Sequence, residues 1–124
     1  MKVLVVDDSV VMRRIMINAL SQASIDDVEQ AADGAEGVNK VGDGAYDLVL
    51  MDWNMPNLLG IDAVKKIREN GHTVPIIMVT TEAEKSRVVE ALKAGANNYI
   101  IKPFQPKVLI SKIQDVMKKV GKAA

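Results

Sequence analysis

Asp7, Asp8, Asp52, Thr80 and Lys102 are the residues whose types and positions suit chemistry. Each lies in or just beyond one of four short apolar runs, 3–6, 48–51, 76–79 and 99–101. Taken singly, each has an ordinary reading. Asp8 could cap a helix or favour its positive end, and Asp52 could form a turn ahead of Pro56. Thr80 suits packing in a strand, and Lys102 suits a solvated surface. Together these readings fail, because three carboxylates gathered at one edge repel one another unless a cation sits among them. The candidate ligands are all oxygens, and the only histidine, His72, falls in a loop, where it reads as a solvated residue with no role. Oxygen ligation by a few carboxylates suits Mg²⁺, which keeps several waters and shares its shell with phosphate; it disfavours zinc. A carboxylate can also act as a nucleophile and form an aspartyl-phosphate. Catalysis of such a transfer rests on positioning and on neutralising charge at the phosphoryl oxygens. Lys102 would supply a fixed positive charge there, and Thr80 a hydroxyl hydrogen bond.

The elements that must position these groups are legible from hydrophobic pattern. The four runs are short and nearly without polar alternation, as strands covered on both faces are; a fifth run at 28–30 is weaker, with one strongly apolar residue. Between them lie segments of helical spacing. Met12, Ile15, Met16 and Ala19 mark one helix face; Leu109, Ile113, Val116, Met117 and Val120 mark another. Ile61, Val64 and Ile67 define a shorter helix, Val88, Ala91 and Leu92 a fourth, and residues 35–41 a marginal fifth. Ser9 suits an N-cap, Gly34, Asn70, Gly71 and Gly95 sit at breaks, and Pro106 suits a first helical turn. A strand–helix unit repeated in this way predicts an α/β fold, a parallel sheet with helices on both faces and right-handed crossovers. Ligands in such sheets bind beyond the carboxyl ends of the strands. Those ends carry Asp7 and Asp8, then Asp33, Asp52, Thr80 and Thr81, and Lys102. Asp52 is central among them and is the nucleophile of choice.

Bulk properties narrow the function further. The 124 residues fit one domain, 1–124, and the last helix is expected to run nearly to Ala124, leaving no output domain. There is no cysteine, so neither disulfides nor thiolate sites arise. Sixteen basic residues balance sixteen acidic ones, which argues against nonspecific nucleic-acid binding. Asp7 and Asp8 interrupt the apolar N-terminus before it reaches signal-peptide length, and no segment is long enough to span a membrane. The expectation is a cytoplasmic monomer.

Four stretches carry a family resemblance: VLVVDDS (3–9), MDWNMP (51–56), MVTTEA (78–83) and AGANNYIIKPF (94–104). The chain resembles the response-regulator receiver family over essentially its whole length, and within it the chemotaxis members. The resemblance implies a flavodoxin-like (βα)5 sandwich with strand order 2-1-3-4-5, an arrangement for which this family is itself a standard example. It implies phosphorylation of Asp52 by a sensor histidine kinase, with Asp7, Asp8, Asp52 and the backbone carbonyl of Asn54 holding Mg²⁺. The domain would catalyse its own phosphorylation and dephosphorylation without being a turnover enzyme. Asn54 and Glu82 match positions that tune the lifetime of the phosphoryl group, and the Lys102–Pro103 peptide is expected to be cis. A phosphoryl group of about −2 charge on Asp52 would draw Thr80 toward its oxygens and open space for Tyr99. Lys85, Val88, Leu92, Tyr99 and Lys112 then form the candidate partner surface. The partner implied is the flagellar motor switch protein, with room for a dedicated phosphatase.

Rival functions fit less well. An Asp-nucleophile phosphatase of the haloacid-dehalogenase type needs a DxD motif after the first strand, where this chain has adjacent aspartates and no cap domain. A flavodoxin would place FMN phosphate against Asp7 and Asp8, which repel it. A stand-alone receiver in a phosphorelay, or one cut from a larger DNA-binding regulator, remains the alternative setting. One departure stands out: Leu59 precedes Gly60 where relatives carry a polar residue or glycine. It removes a helix cap worth about 1 kcal/mol and leaves an exposed apolar group beside the acidic pocket.

Overall fold

Alternate residues along each central strand face opposite helix layers, and this sets the architecture. The structure, a computed structural model, describes residues 1–121. Its elements are β1 (Lys2–Val6), α1 (Val10–Gln22), β2 (Asp27–Ala31), α2 (Gly34–Asp43), β3 (Leu48–Met51), α3 (Gly60–Glu69), β4 (Ile76–Thr80), α4 (Lys85–Ala94), β5 (Asn98–Ile101) and α5 (Pro106–Lys119). The strands pair in parallel in the order β2-β1-β3-β4-β5, the flavodoxin-like arrangement. Leu4, Val6, Val49, Met51, Ile76, Met78 and Tyr99 turn to one face, against Val41 of α2, Ile61, Val64 and Ile67 of α3, and Ala91 of α4. Val3, Val5, Leu48, Leu50, Ile77, Val79 and Ile100 turn to the other, against α1 and α5. Burial on both faces explains why these runs lack polar alternation.

The edge strand β2 obeys different rules. Only Ala31 of its five residues is buried, which is why the apolar signal there is thin. Polar contacts clasp it instead: Lys2 Nζ lies 2.9 Å from a Glu29 carboxylate oxygen, and the Tyr46 hydroxyl donates to the same side chain at 3.0 Å.

Helix ends follow the sequence punctuation. Ser9 caps α1, its hydroxyl accepting from the Met12 N–H at 3.1 Å. Pro106 opens α5, and Gly95 ends α4 with φ +119°, a left-handed conformation that costs glycine little. Arg68 at the end of α3 ties this corner down: its guanidinium donates to the carbonyls of Gly95 and His72. Ile15 and Val120, like Leu92 of α4, differ from the expected helix faces. Ile15 and Val120 are 44% and 40% exposed; the inner face of α1 runs instead through Met16, Ala19 and Leu20, one step round the helix. Helix α5 ends at Lys119, and residues 122–124, to which the expected helix reached, lie outside the described residues. Among the described residues no helix is long and apolar enough to cross a membrane.

Candidate functional site

Strand register brings the candidate groups together. Val6 of β1 lies beside Met51 of β3, Met51 beside Met78 of β4, and Thr80 beside Ile101 of β5. The residues that follow continue the ladder by one rung: the Asp7 N–H donates to Ala31 O, that of Asp52 to Val6 O, and that of Lys102 to Thr80 O. Asp7, Asp52 and Lys102 therefore leave the sheet from fixed backbone positions rather than from mobile loops.

Asp7, Asp52 and Thr80 are the buried polar or charged residues of the described chain. Lys102 Nζ donates to Asp7 Oδ2 at 2.8 Å and lies 3.3 Å from Asp52 Oδ2, so one cation bridges two buried carboxylates. Asp52 Oδ1 accepts from the Trp53 N–H at 2.7 Å. Burial pushes the Asp52 carboxyl above its ordinary value; Lys102 opposes the rise and Asp7 adds to it. Asp8 is exposed at the pocket rim. Each of Asp7, Asp8 and Asp52 offers a carboxylate oxygen within 4.8 Å of the others. With three negative groups against one lysine, this all-oxygen cluster fits a hard divalent cation of the Mg²⁺ type.

The surrounding shell is organised around Glu82. Its carboxylate accepts from Asn54 Nδ2 at 3.0 Å, its N–H donates to Thr80 Oγ1 at 3.3 Å, and its carbonyl accepts from the Tyr99 hydroxyl at 2.6 Å. Tyr99 is buried rather than rotated outward, and the alternation of β4 and β5 sets it on the same sheet face as Thr80. Lys85 and Leu92 are exposed on α4, while Val88 and Lys112 are half-buried. Leu92, which helical spacing also allowed in the core, is 46% exposed. The Lys102–Pro103 peptide is cis. Asp33 does not join the acidic cluster; it caps α2, accepting from the Glu36 N–H, and receives Asn57 Nδ2 at 2.7 Å. His72 lies at the opposite edge of the sheet, in the loop before β4.

Three contributors were not legible as site residues. Arg13 donates from Nη1 to Asp7 O at 2.6 Å and from Nε to Gln30, clamping the strand end that bears the acid pair. Gly60 packs its α-carbon against the Asp52 backbone carbonyl, where a β-carbon would collide. Its signal was a glycine opening a helix, a place where glycine is costly unless something approaches closely. Arg87 of α4 stacks on the Trp53 ring, a pairing that no local spacing encodes.

Leu59 occupies the N-cap of α3 with no side-chain hydrogen bond, and it is 43% exposed. The cap is partly replaced by backbone, since the Gly60 N–H donates to Trp53 O at 2.8 Å. Leu59→Asn supplies a side-chain acceptor and is expected to add about 1 kcal/mol, read as a higher urea midpoint at unchanged slope. An unchanged or lower midpoint would show that the backbone bond already suffices.

A doubly wound parallel sheet with an acid pair, a central aspartate, a hydroxyl and a lysine at one edge defines a receiver, and the comparisons agree. The response regulator receiver domain matches residues 3–114, and the chain belongs to that family. It is similar to chemotaxis protein CheY1 of Helicobacter pylori, 51% identical over 120 residues, covering 94% of this chain and 97% of that protein. A chemotaxis protein CheY homolog of Campylobacter jejuni is 50% identical, over 94% of this chain and 92% of its own length. Among solved structures, chemotaxis protein CheY4 of Vibrio cholerae superposes with a TM-score of 0.85 at 37% identity, covering 93% and 97% of the two chains. The receiver domain of Francisella response regulator 1452 gives 0.89 at 30% identity, covering 96% and 98%.

Proposed function

We propose that this receiver domain, acting in the cytoplasm as a monomer, accepts a phosphoryl group on Asp52 from a phosphohistidine of a sensor kinase. The observation that carries the reading is the bridging of Asp7 and Asp52 by Lys102 beside a third carboxylate that completes an oxygen-only cation site. An Asp52 oxygen attacks phosphorus, the phosphorus–nitrogen bond breaks and the imidazole leaves with its electron pair. Mg²⁺ held by Asp7, Asp8, Asp52 and the Asn54 backbone carbonyl would offset charge on the transferred group. Lys102 holds a fixed positive charge at the pocket, and the Thr80 hydroxyl, tied only through a 3.3 Å bond to the Glu82 N–H, is free to turn to a phosphoryl oxygen. Asn54 and Glu82, bonded to each other, govern access of the hydrolytic water and so the lifetime. The output is a change in affinity at the face bearing Lys85, Val88, Leu92, Tyr99 and Lys112, and the similarity to chemotaxis proteins supports the flagellar motor switch as partner.

Mass spectrometry with acetyl phosphate and Mg²⁺, run beside Trp53 fluorescence, tests this reading. The expected result is one phosphoryl adduct at Asp52, dependent on Mg²⁺, and a reversible emission change. An adduct elsewhere, or none, would sink it. Lys102→Ala is expected to slow phosphorylation on the order of 100-fold and to abolish phosphorylation-dependent binding of the motor switch protein. Normal phosphorylation-dependent binding by that variant would remove Lys102 from the mechanism.

A further inference from the structure

Arg87 stands in the first turn of α4, a turn with no acidic residue that also carries Lys85. Helix N-termini favour negative charge, and Glu84 at the N-cap makes no side-chain capping bond. The guanidinium is therefore placed against the preference of its own helix end. Nη1 is 3.2 Å from Glu90 Oε1, an exposed pair on one helix that salt readily screens. The guanidinium carbon also lies 5.3 Å from the centroid of the Trp53 ring. That ring is buried, and its residue donates its backbone N–H to the Asp52 carboxylate. Burial pushes the Tyr99 hydroxyl up to about 12, with the charges of Glu82 and Asp52 adding to the rise and that of Arg87 opposing it. The same hydroxyl holds the Glu82 carbonyl, in the segment that leads into α4. A single cation thus contacts the ring beside Asp52, and its charge acts on the tyrosine that fastens the entry to the helix.

We propose that Arg87 is a positioning residue that carries the charge state of Asp52 to α4: its guanidinium rests on Trp53 while Asp52 is unmodified and leaves the ring once Asp52 bears a phosphoryl group. The inference rests on Asp52 being the phospho-acceptor. Phosphorylation replaces the single negative charge of the Asp52 carboxylate with a phosphoryl group of about −2, one residue from the ring. A dianion attracts a guanidinium more strongly than a π face or a solvated carboxylate does. Because the Arg87 N–H is bonded to Glu84 O, movement of this side chain pulls on the first turn of α4 and on the segment that Tyr99 holds. Lysine at this position would keep the charge but lose the planar fork that stacks.

Trp53 is the only tryptophan, so its emission reads the stack directly. Wild type, Arg87→Met and Arg87→Lys are compared before and after acetyl phosphate with Mg²⁺, the phosphoryl adduct being counted by mass in each. Arg87→Met is expected to show altered emission before donor is added and to form the adduct normally. Its donor-induced emission change should fall to half or less of the wild-type amplitude, with Arg87→Lys restoring most of it. Amide exchange over α4 supplies a second readout, changing several-fold on phosphorylation in wild type and staying within twofold in Arg87→Met. Equal adduct with full emission and exchange responses in Arg87→Met overturns the role of Arg87 and leaves Asp52 standing. Loss of the adduct only in Arg87→Met also overturns it, placing the residue in the transfer chemistry instead. No adduct even in wild type removes both readings, and the mass measurement distinguishes that failure from the others.

Discussion

Asp52→Asn will take up no phosphoryl group from acetyl phosphate, and in metal-free buffer it will unfold at a higher temperature than the wild type. The first outcome follows from removing the proposed nucleophile, since an amide oxygen does not form the acyl phosphate. The second follows from the cost of burying a carboxylate near another one. Burial, opposed by Lys102 and reinforced by Asp7, raises the folded carboxyl above its ordinary value. A raised carboxyl contributes stability that is present below the unfolded value and lost as pH rises through the folded value. The gap between variant and wild type therefore widens with pH across that window and is level above it. Lys102 is not orphaned by the change, because its 2.8 Å bond to Asp7 remains. The expected gain is read as a higher Tm whose margin over wild type grows with pH across that window. Mg²⁺ at the proposed site is expected to reverse the ranking. A cation that binds the folded wild type at a hundred times its Kd adds about 2.7 kcal/mol, and the variant, with one carboxylate fewer, gains less. Thermal melts with and without Mg²⁺ at several pH values check all of this. A variant less stable than wild type without metal would mean that the Lys102–Asp52 contact outweighs the burial of charge.

The central strands were legible because burial on both faces leaves no room for polar residues, so the apolar runs 3–6, 48–51 and 76–79 lie wholly within β1, β3 and β4. Edge strand β2 was visible only as a run around Val28, since its outer side meets solvent and polar clasps replace the core. Helix α1 was found but turned slightly wrongly: Met12, Ile15, Met16 and Ala19 fit the spacing, yet the sheet takes Leu20 and leaves Ile15 in water. Hydrophobic spacing fixes an arc on a helix, whereas the angle at which the helix docks decides which margin of that arc is covered. The candidate site was legible because parallel strands deliver the residues at their carboxyl ends to one edge, so the position of a residue in its own element was enough to place it. The contacts of Lys102 with Asp7, Arg13 with Asp7 and Arg87 with Trp53 were not legible in the same way. They join side chains from different elements whose reach and rotamers no one-dimensional pattern records.

Gly60→Ala is expected to destabilise the protein by about 3 kcal/mol or more, and to damage cation binding at a distance from any carboxylate. Gly60 opens α3 although glycine is a poor helix former, and the cause lies across the loop. A β-carbon at this position would fall on the Asp52 carbonyl oxygen and crowd the α-carbon of Trp53, both backbone atoms that cannot rotate aside. Relief requires moving the start of α3 or the end of β3. The first breaks the Gly60 N–H bond to Trp53 O, and the second shifts the ladder bond from Asp52 N–H to Val6 O that aims the carboxylate. The variant should therefore show both a lower urea midpoint and weaker Mg²⁺ binding read by Trp53 emission, whereas Leu59→Asn next door should raise the midpoint with Mg²⁺ affinity unchanged. Opposite effects at adjacent positions separate close backbone approach from helix capping as the constraint on this loop. If Gly60→Ala kept wild-type Mg²⁺ affinity while losing stability, the close approach would serve packing of α3 alone and not the aim of Asp52.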